Sequence, residues 1–128
     1  MNKVSNYKDL IVWQKAKKLA IAIFELTENF PKSEIYGLVS QMRRCSVSIP
    51  SNIAEGSRRG SKKDYCQFLR IAFGSGAELE TQIEILKELS FGKNLNYEKV
   101  DSLLEEVMKM LNKLINQFTT NYNLPTTS

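Results

Sequence analysis

The sequence predicts an all-α protein, an antiparallel up-down-up-down bundle of four helices forming one domain over residues 1–128. Three observations carry that reading. Apolar residues recur in three- and four-residue steps through four separate stretches. No segment alternates apolar and polar residues with a period of two. Only three prolines and six glycines fall in 128 residues, too few for long irregular segments. A chain of this length can bury a core without metals or disulfides.

Helix one is expected over residues 9–29. Asp9 is placed as its N-cap. Leu10, Trp13, Ala16, Ala20, Ile23 and Thr27 step along one face, widened by Val12, Leu19, Phe24 and Leu26. Pro31 ends it by disfavouring helical backbone at Phe30. Helix two is expected over 34–56, with Ser33 as cap and a stripe of Ile35, Leu38, Met42, Cys45, Ile49 and Ile53. Pro50 interrupts that stripe. It has no N–H for the Ser46 carbonyl, and its ring crowds the turn. The helix either kinks at Pro50, or stops and restarts with Ser48 as a new cap. The stripe stays in phase from Ile49 to Ile53, which favours one kinked helix ending near Gly56.

Helix three is expected over 61–91, with Ser61 as cap and Asp64 as a weak capping-box partner. Tyr65, Phe68, Leu69, Ala72, Leu79, Ile83 and Leu86 mark its core stripe. Gly74 to Ala77 are small, and a mid-helix glycine costs about 1 kcal/mol against alanine. Close approach of another helix would offset that cost. Ile71, Phe73 and Ile85 lie off the stripe and predict a second buried face, against another subunit. Gly92 and Asn94 mark a turn. Helix four follows over 96–121, with Asn96 as cap and Glu98 and Asp101 suited to its positive end. Val100, Leu104, Val107, Leu111, Ile115 and Phe118 form its stripe. The tail 122–128 is polar and expected to fray.

Composition narrows the chemistry. Histidine is absent, which removes the commonest general base, metal ligand and partner of a Ser or Cys nucleophile. Cys45 and Cys66 have no metal-ligand spacing. They read as buried thiols of a reducing compartment. No cofactor, metal site or catalytic residue is expected. The opening MNKVSNYKDL has no apolar stretch of the secretory kind, and the longest apolar run, Leu19 to Phe24, is far short of a membrane span. The expectation is a soluble, cytoplasmic protein without membrane contact.

The net charge of +4 is uneven, being +5 over residues 43–70, +2 over 1–42 and −3 over 71–128. The basic residues Arg43, Arg44, Arg58, Arg59, Lys62 and Lys63 are the candidate contact site for RNA or DNA phosphates. Free N–H groups at the start of helix three would add an anion-friendly end beside Lys62 and Lys63. The competing reading is a solvated cluster paired with Glu55, Glu78 or Glu80. No sequence-reading nucleic-acid motif is present, so binding through this segment should tolerate many sequences.

Several stretches together resemble a known family. They are Asp9-Leu10 with Val12 to Ala16, Phe30-Pro31, Tyr36-Gly37-Leu38 with Gln41, Arg43 and Arg44, Ser48 to Gly56, and Gly74-Ser75 with Glu78 to Thr81. This set is similar to the four-helix bundle family of 23S rRNA-intervening sequence proteins, over about residues 7–118. The run Ser48-Ile49-Pro50-Ser51-Asn52-Ile53-Ala54-Glu55-Gly56 is its most specific part. The resemblance implies a left-handed bundle that assembles as a homopentameric ring. It also implies distant kinship to the accessory protein of diversity-generating retroelements, a basic pentamer that binds a reverse transcriptase and nucleic acid. An acidic protein docked on the basic surface, or a reverse-transcriptase-like enzyme, is therefore the alternative partner. The family supplies no catalytic residues to carry over.

The remaining candidates have structural readings. Pro50, Asn52, Glu55 and Gly56 form the signature. Asn52 would satisfy the carbonyl freed by Pro50, and Glu55 would pair with Arg58, Arg59 or Arg43. Glu78 and Glu80 sit two apart on a helix and so point to different faces, which suits ion pairs with Arg43 or Arg44 better than acid–base or metal work. Cys66 lies near Lys62 and Lys63, but without histidine it is a poor nucleophile. Trp13 reads as core or subunit-interface packing.

Overall fold

The four apolar stripes fold as four long helices in a computed structural model that describes residues 6–121. They are α1 (Ile11–Leu26), α2 (Ser40–Ser57), α3 (Lys62–Glu88) and α4 (Glu98–Asn121). Among the described residues there is no strand. The tail 122–128 lies outside them, as does the Ile35 side chain.

The ends of the helices depart from expectation in instructive ways. Asp9 does not cap α1. It closes a short 3-10 turn, Tyr7–Asp9, which Asn6 caps by accepting the Lys8 N–H. Leu10 then occupies the cap position of α1 with no side-chain bond. The turn is held there by the Gln14 side-chain N–H, which donates to the Lys8 carbonyl at 2.8 Å. At its other end α1 stops at Leu26, and the Thr27 hydroxyl donates to the Ile23 carbonyl at 2.8 Å on the last turn. Ser33 is not a cap either. It lies inside the single turn Lys32–Glu34, and a wider turn, Ile35–Val39, follows with Gly37 off the helical backbone (φ −106°, ψ −115°). The break in this region falls at Gly37, whereas α2 runs unbroken through Pro50. The stop-and-restart alternative is thus not the one that forms.

Two caps stand as read. Ser61 Oγ accepts the Asp64 N–H at 3.1 Å, and Asn96 Oδ1 accepts the Glu98 N–H at 3.0 Å. The α3 helix ends at Glu88, three residues early, and Gly92 sits in the turn beyond it.

Each helix packs on two others. The α1 helix contacts α2 and α4, and α3 contacts the same two. Leu19, Ile23, Met42, Ile49, Ile53, Leu69, Leu79, Ile83, Leu86, Val107 and Leu111 fill the space between. Between α2 and α3, Cys45 faces Gln82, Ser48 faces Ser75, and Gly56 faces Phe68. Between α1 and α4, Lys15 meets Glu106 and Glu25 meets Lys99. Buried Gly76 lies against Met108 of α4, so the small stretch does admit a neighbour closely. Of the three off-stripe residues, Phe73 packs against the core while Ile71 and Ile85 face solvent.

Candidate functional site

The chain leaves α2 and enters α3 through four residues, Arg58 to Ser61. Backbone N–H groups of Arg58 and Arg59 close onto the carbonyls of Ala54, Glu55 and Gly56, ending α2. Gly60 then takes φ +88°, a left-handed conformation that a Cβ disfavours. Ser61 turns extended and caps α3. Gly56 makes the sharp reversal possible from the other side. A Cβ there would lie 2.7 Å from the Phe68 Cβ, so only a bare Cα lets the two helices close where they join.

This corner carries Arg58, Arg59, Lys62 and Lys63, all exposed. Two are partly engaged. Arg59 pairs with Glu55 at 2.8 Å and lies 4.9 Å from the Phe68 ring centroid. Arg58 lies 5.3 Å from the Tyr7 ring, which the N-terminal turn brings across. An exposed i,i+4 pair and a stacked guanidinium are each worth little in water, so both arginines can turn to a phosphate at small cost. Lys62 and Lys63 have no ion-pair partner among the described residues.

The structure does not bring the other two predicted contacts to this corner. Arg44 precedes Arg58 by 14 residues on one helix, which is about 21 Å along its axis. Arg43 is bound locally: its Nε donates to Thr27 Oγ1 at 3.0 Å, and its guanidinium lies 4.8 Å from the Phe24 ring. Neither arginine pairs with Glu78 or Glu80 among the described residues.

The signature residues have structural work. Asn52 does not reach the Ser46 carbonyl that Pro50 leaves free. Its Nδ2 donates to the Ser48 carbonyl at 2.8 Å and to Ser48 Oγ at 2.9 Å, because an asparagine on a helix reaches the residue four before it. Ser48 Oγ in turn bonds Ser75 Oγ at 2.9 Å, tying α2 to α3. Both cysteines are buried free thiols. Burial, with Glu78 nearby, pushes the Cys45 thiol above its ordinary pKa, and Gln82 Nε2 donates to its sulfur at 3.5 Å. The described residues hold no cluster of three or more metal-ligating side chains. Trp13 is half-buried, edge-on to Tyr7 at 5.2 Å, with Lys17 5.6 Å from its ring.

Distant segments add charge that the linear sequence does not gather. Contacts from Arg58 to Tyr7, Tyr65 to Phe118 and Arg70 to Thr119 define one end of the molecule. The residues of that end, 6–18, 49–75 and 110–121, hold ten basic and three acidic side chains. Contacts from Phe30 to Phe91, Thr27 to Arg43 and Lys87 to Asp101 define the other end. Its residues, 19–48 and 76–109, hold seven basic and eleven acidic side chains. One end therefore carries +7 and the other −4, with the Lys15–Glu106 ion pair lying across the boundary between them. Lys8, in the turn whose Tyr7 meets Arg58, is a contributor that the local count did not assign to the site. Its charge was visible, but its position was not.

Comparison with known proteins bears on the fold. A family model described as 23S rRNA-intervening sequence protein matches residues 8–113. A solved structure of a protein with unknown function from the S23 ribosomal protein family of Bacteroides thetaiotaomicron is similar, with a TM-score of 0.68 and 24% sequence identity, covering 82% of this chain and 98% of that one. No curated protein matches the chain.

Proposed function

The chain belongs to the family of 23S rRNA-intervening sequence proteins, and from that premise we propose that it is a non-enzymatic, cytoplasmic assembly protein that holds RNA or DNA by its phosphates. Its helices form an up-down-up-down bundle of antiparallel neighbours, with α2 bent at Pro50. Five copies form a ring that presents the Arg58–Lys63 corner. The observation that carries this reading is the charge polarity of the bundle, +7 at one end against −4 at the other. A phosphate backbone is drawn to the first end and repelled from the second. A ring that holds the copies in parallel sums the field of five such ends.

The mechanism is counterion release. Each lysine or arginine that neutralises a phosphate frees a condensed cation, so the affinity falls with salt by a slope of about 0.7–0.9 per contact. Arg58, Arg59, Lys62 and Lys63 sit on a helix end and a turn, with no recognition helix beside them, and the nearby Tyr7 and Phe68 rings are taken up by Arg58 and Arg59 themselves. They position a backbone and do not read bases.

Titration of a generic RNA and a duplex DNA at low and moderate salt tests this. Binding should weaken steeply with salt. An Arg58→Glu, Arg59→Glu, Lys62→Glu variant should lower the salt slope by about 2–3 for each copy engaged. Salt-insensitive binding, or binding unchanged in that variant, would sink the reading.

A further inference from the structure

Two apolar faces on the outside of the bundle have no partner within the chain. The first is a groove of about 460 Å³ between α1 and α2, where Ile21, Phe24 and Val47 converge beside Pro50. Phe24 stays exposed there, although the Arg43 guanidinium, itself bonded to Thr27, lies against its ring. The second is a stripe along α3. Ile71 and Ile85 lie on one side of that helix, with Gly74 and Glu78 between them. The five large apolar residues of the two faces are each 42–49% exposed. A Cβ at Gly74 would meet nothing within 4 Å, so this glycine, unlike Gly76, serves no packing inside its own chain. Its helical cost of about 1 kcal/mol against alanine is offset only if something outside the chain approaches α3 there.

Charge indicates what that is. Arg44 stands one turn from Val47, next to the groove, and Glu78 stands within the α3 stripe. Both are exposed, and neither has an ion-pair partner among the described residues. The groove's own lining charges cancel, Lys17 and Arg43 against Glu25 and Glu28, so the unpaired cation beside it is Arg44, while the stripe offers an unpaired anion and a bare backbone. Pairing either face with its own copy across a two-fold axis would set Arg44 towards Arg44, or Glu78 towards Glu78. Pairing one with the other satisfies both.

We infer that the α1/α2 groove of one copy receives the α3 stripe of a second copy, with Ile71 and Ile85 against Ile21, Phe24 and Val47, and Glu78 beside Arg44. The inference rests on the ring reading above and assigns the joint of that ring. The contact is heterologous: each copy gives one groove and one stripe, so repetition by a closing rotation leaves neither face bare. Gly74 is the point at which the second copy comes nearest to the α3 backbone.

The test uses complementary surface variants. An Ile21→Glu, Val47→Glu protein loses the groove and keeps the stripe. An Ile71→Glu, Ile85→Glu protein loses the stripe and keeps the groove. Every substituted position is exposed in the single chain, and circular dichroism verifies that each variant is folded. By light scattering the unsubstituted protein should be an oligomer, each variant alone a monomer, and their equimolar mixture a dimer, since one intact groove then meets one intact stripe. Gly74→Leu should dissociate the oligomer without lowering helicity. Arg44→Glu should raise the concentration for half-dissociation at least tenfold, and adding Glu78→Arg in the same chain should restore it. If either variant alone keeps the oligomer's mass, or the mixture stays monomeric, the face assignment is wrong and the ring stands. If the unsubstituted protein is a monomer, both fail, and the two faces belong to a different protein.

Discussion

At the scale of single residues, three glycines show how one residue type answers different demands. Gly92 sits in the turn after α3, where a Cβ would run into the Leu86 carbonyl and side chain. A backbone oxygen cannot move aside as a flexible side chain can. Gly92→Ala should therefore cost about 1–3 kcal/mol in urea denaturation. Gly60→Ala meets open space but a left-handed φ of +88°, and should cost about 1–2 kcal/mol. Gly74→Ala has neither obstacle and should not lower the stability of a single chain. The sequence places Gly74 in mid-helix and Gly92 at a turn without separating their demands, because what a Cβ would strike depends on the neighbouring segments. The same holds for polar residues. The pairing of Glu55 with Arg59, one of the three arginines open to it in the sequence, is legible from their spacing of four residues. The commitment of Arg43 to Thr27 joins two helices and is not.

At the scale of the element, caps were legible where a serine or asparagine stood at a lone boundary, as at Ser61 and Asn96. Asp9 and Ser33 failed because each lies in a short extra turn that competes for the same backbone groups. Such turns have no periodic signal of their own. The joint between α3 and α4 gives a prediction. Lys87 Nζ donates to Asp101 at 2.8 Å and to Glu84 at 3.2 Å. The hydrogen bond to Asp101, more than the second one to Glu84, holds the Lys87 ammonium above the ordinary lysine pKa. A raised folded-state value means that the folded protein binds this proton more tightly than the unfolded chain. The contribution is whole below the ordinary lysine value and fades as pH climbs through the folded-state one. Thermal melts at rising alkaline pH should show the unsubstituted protein losing more stability than a Lys87→Met variant, with the two curves converging. A gap that stays constant through that range would refute it.

For the whole molecule, the separation of charge is the property with the most consequence. It arises because the fold brings the Tyr7 turn beside Arg58 and leaves the α3–α4 connection at the far end, by Phe30. Two equal charge changes should then differ sharply in effect. Lys8→Glu lies next to the Tyr7 turn at the basic end and should weaken nucleic-acid binding as much as a change within 58–63. Lys93→Glu, in the α3–α4 connection, should leave it nearly unchanged. Filter binding at one fixed salt concentration decides between them, and equal losses would mean that net charge alone governs binding.

By itself the sequence determined that the chain is helical, where its four long helices fall and which stripe of each is buried, because helical periodicity is local and is written in residue spacing. It also marked Arg58 to Lys63 as a basic segment between two helices. Only the tertiary structure decided that Arg43 and Arg44 stand apart from that segment, that the turn carrying Tyr7 and Lys8 lies beside it, and that Ile21, Phe24, Val47, Ile71 and Ile85 remain uncovered. Those are relations between segments distant in sequence. They depend on how the helices are laid against one another, which the spacing within any one helix does not encode.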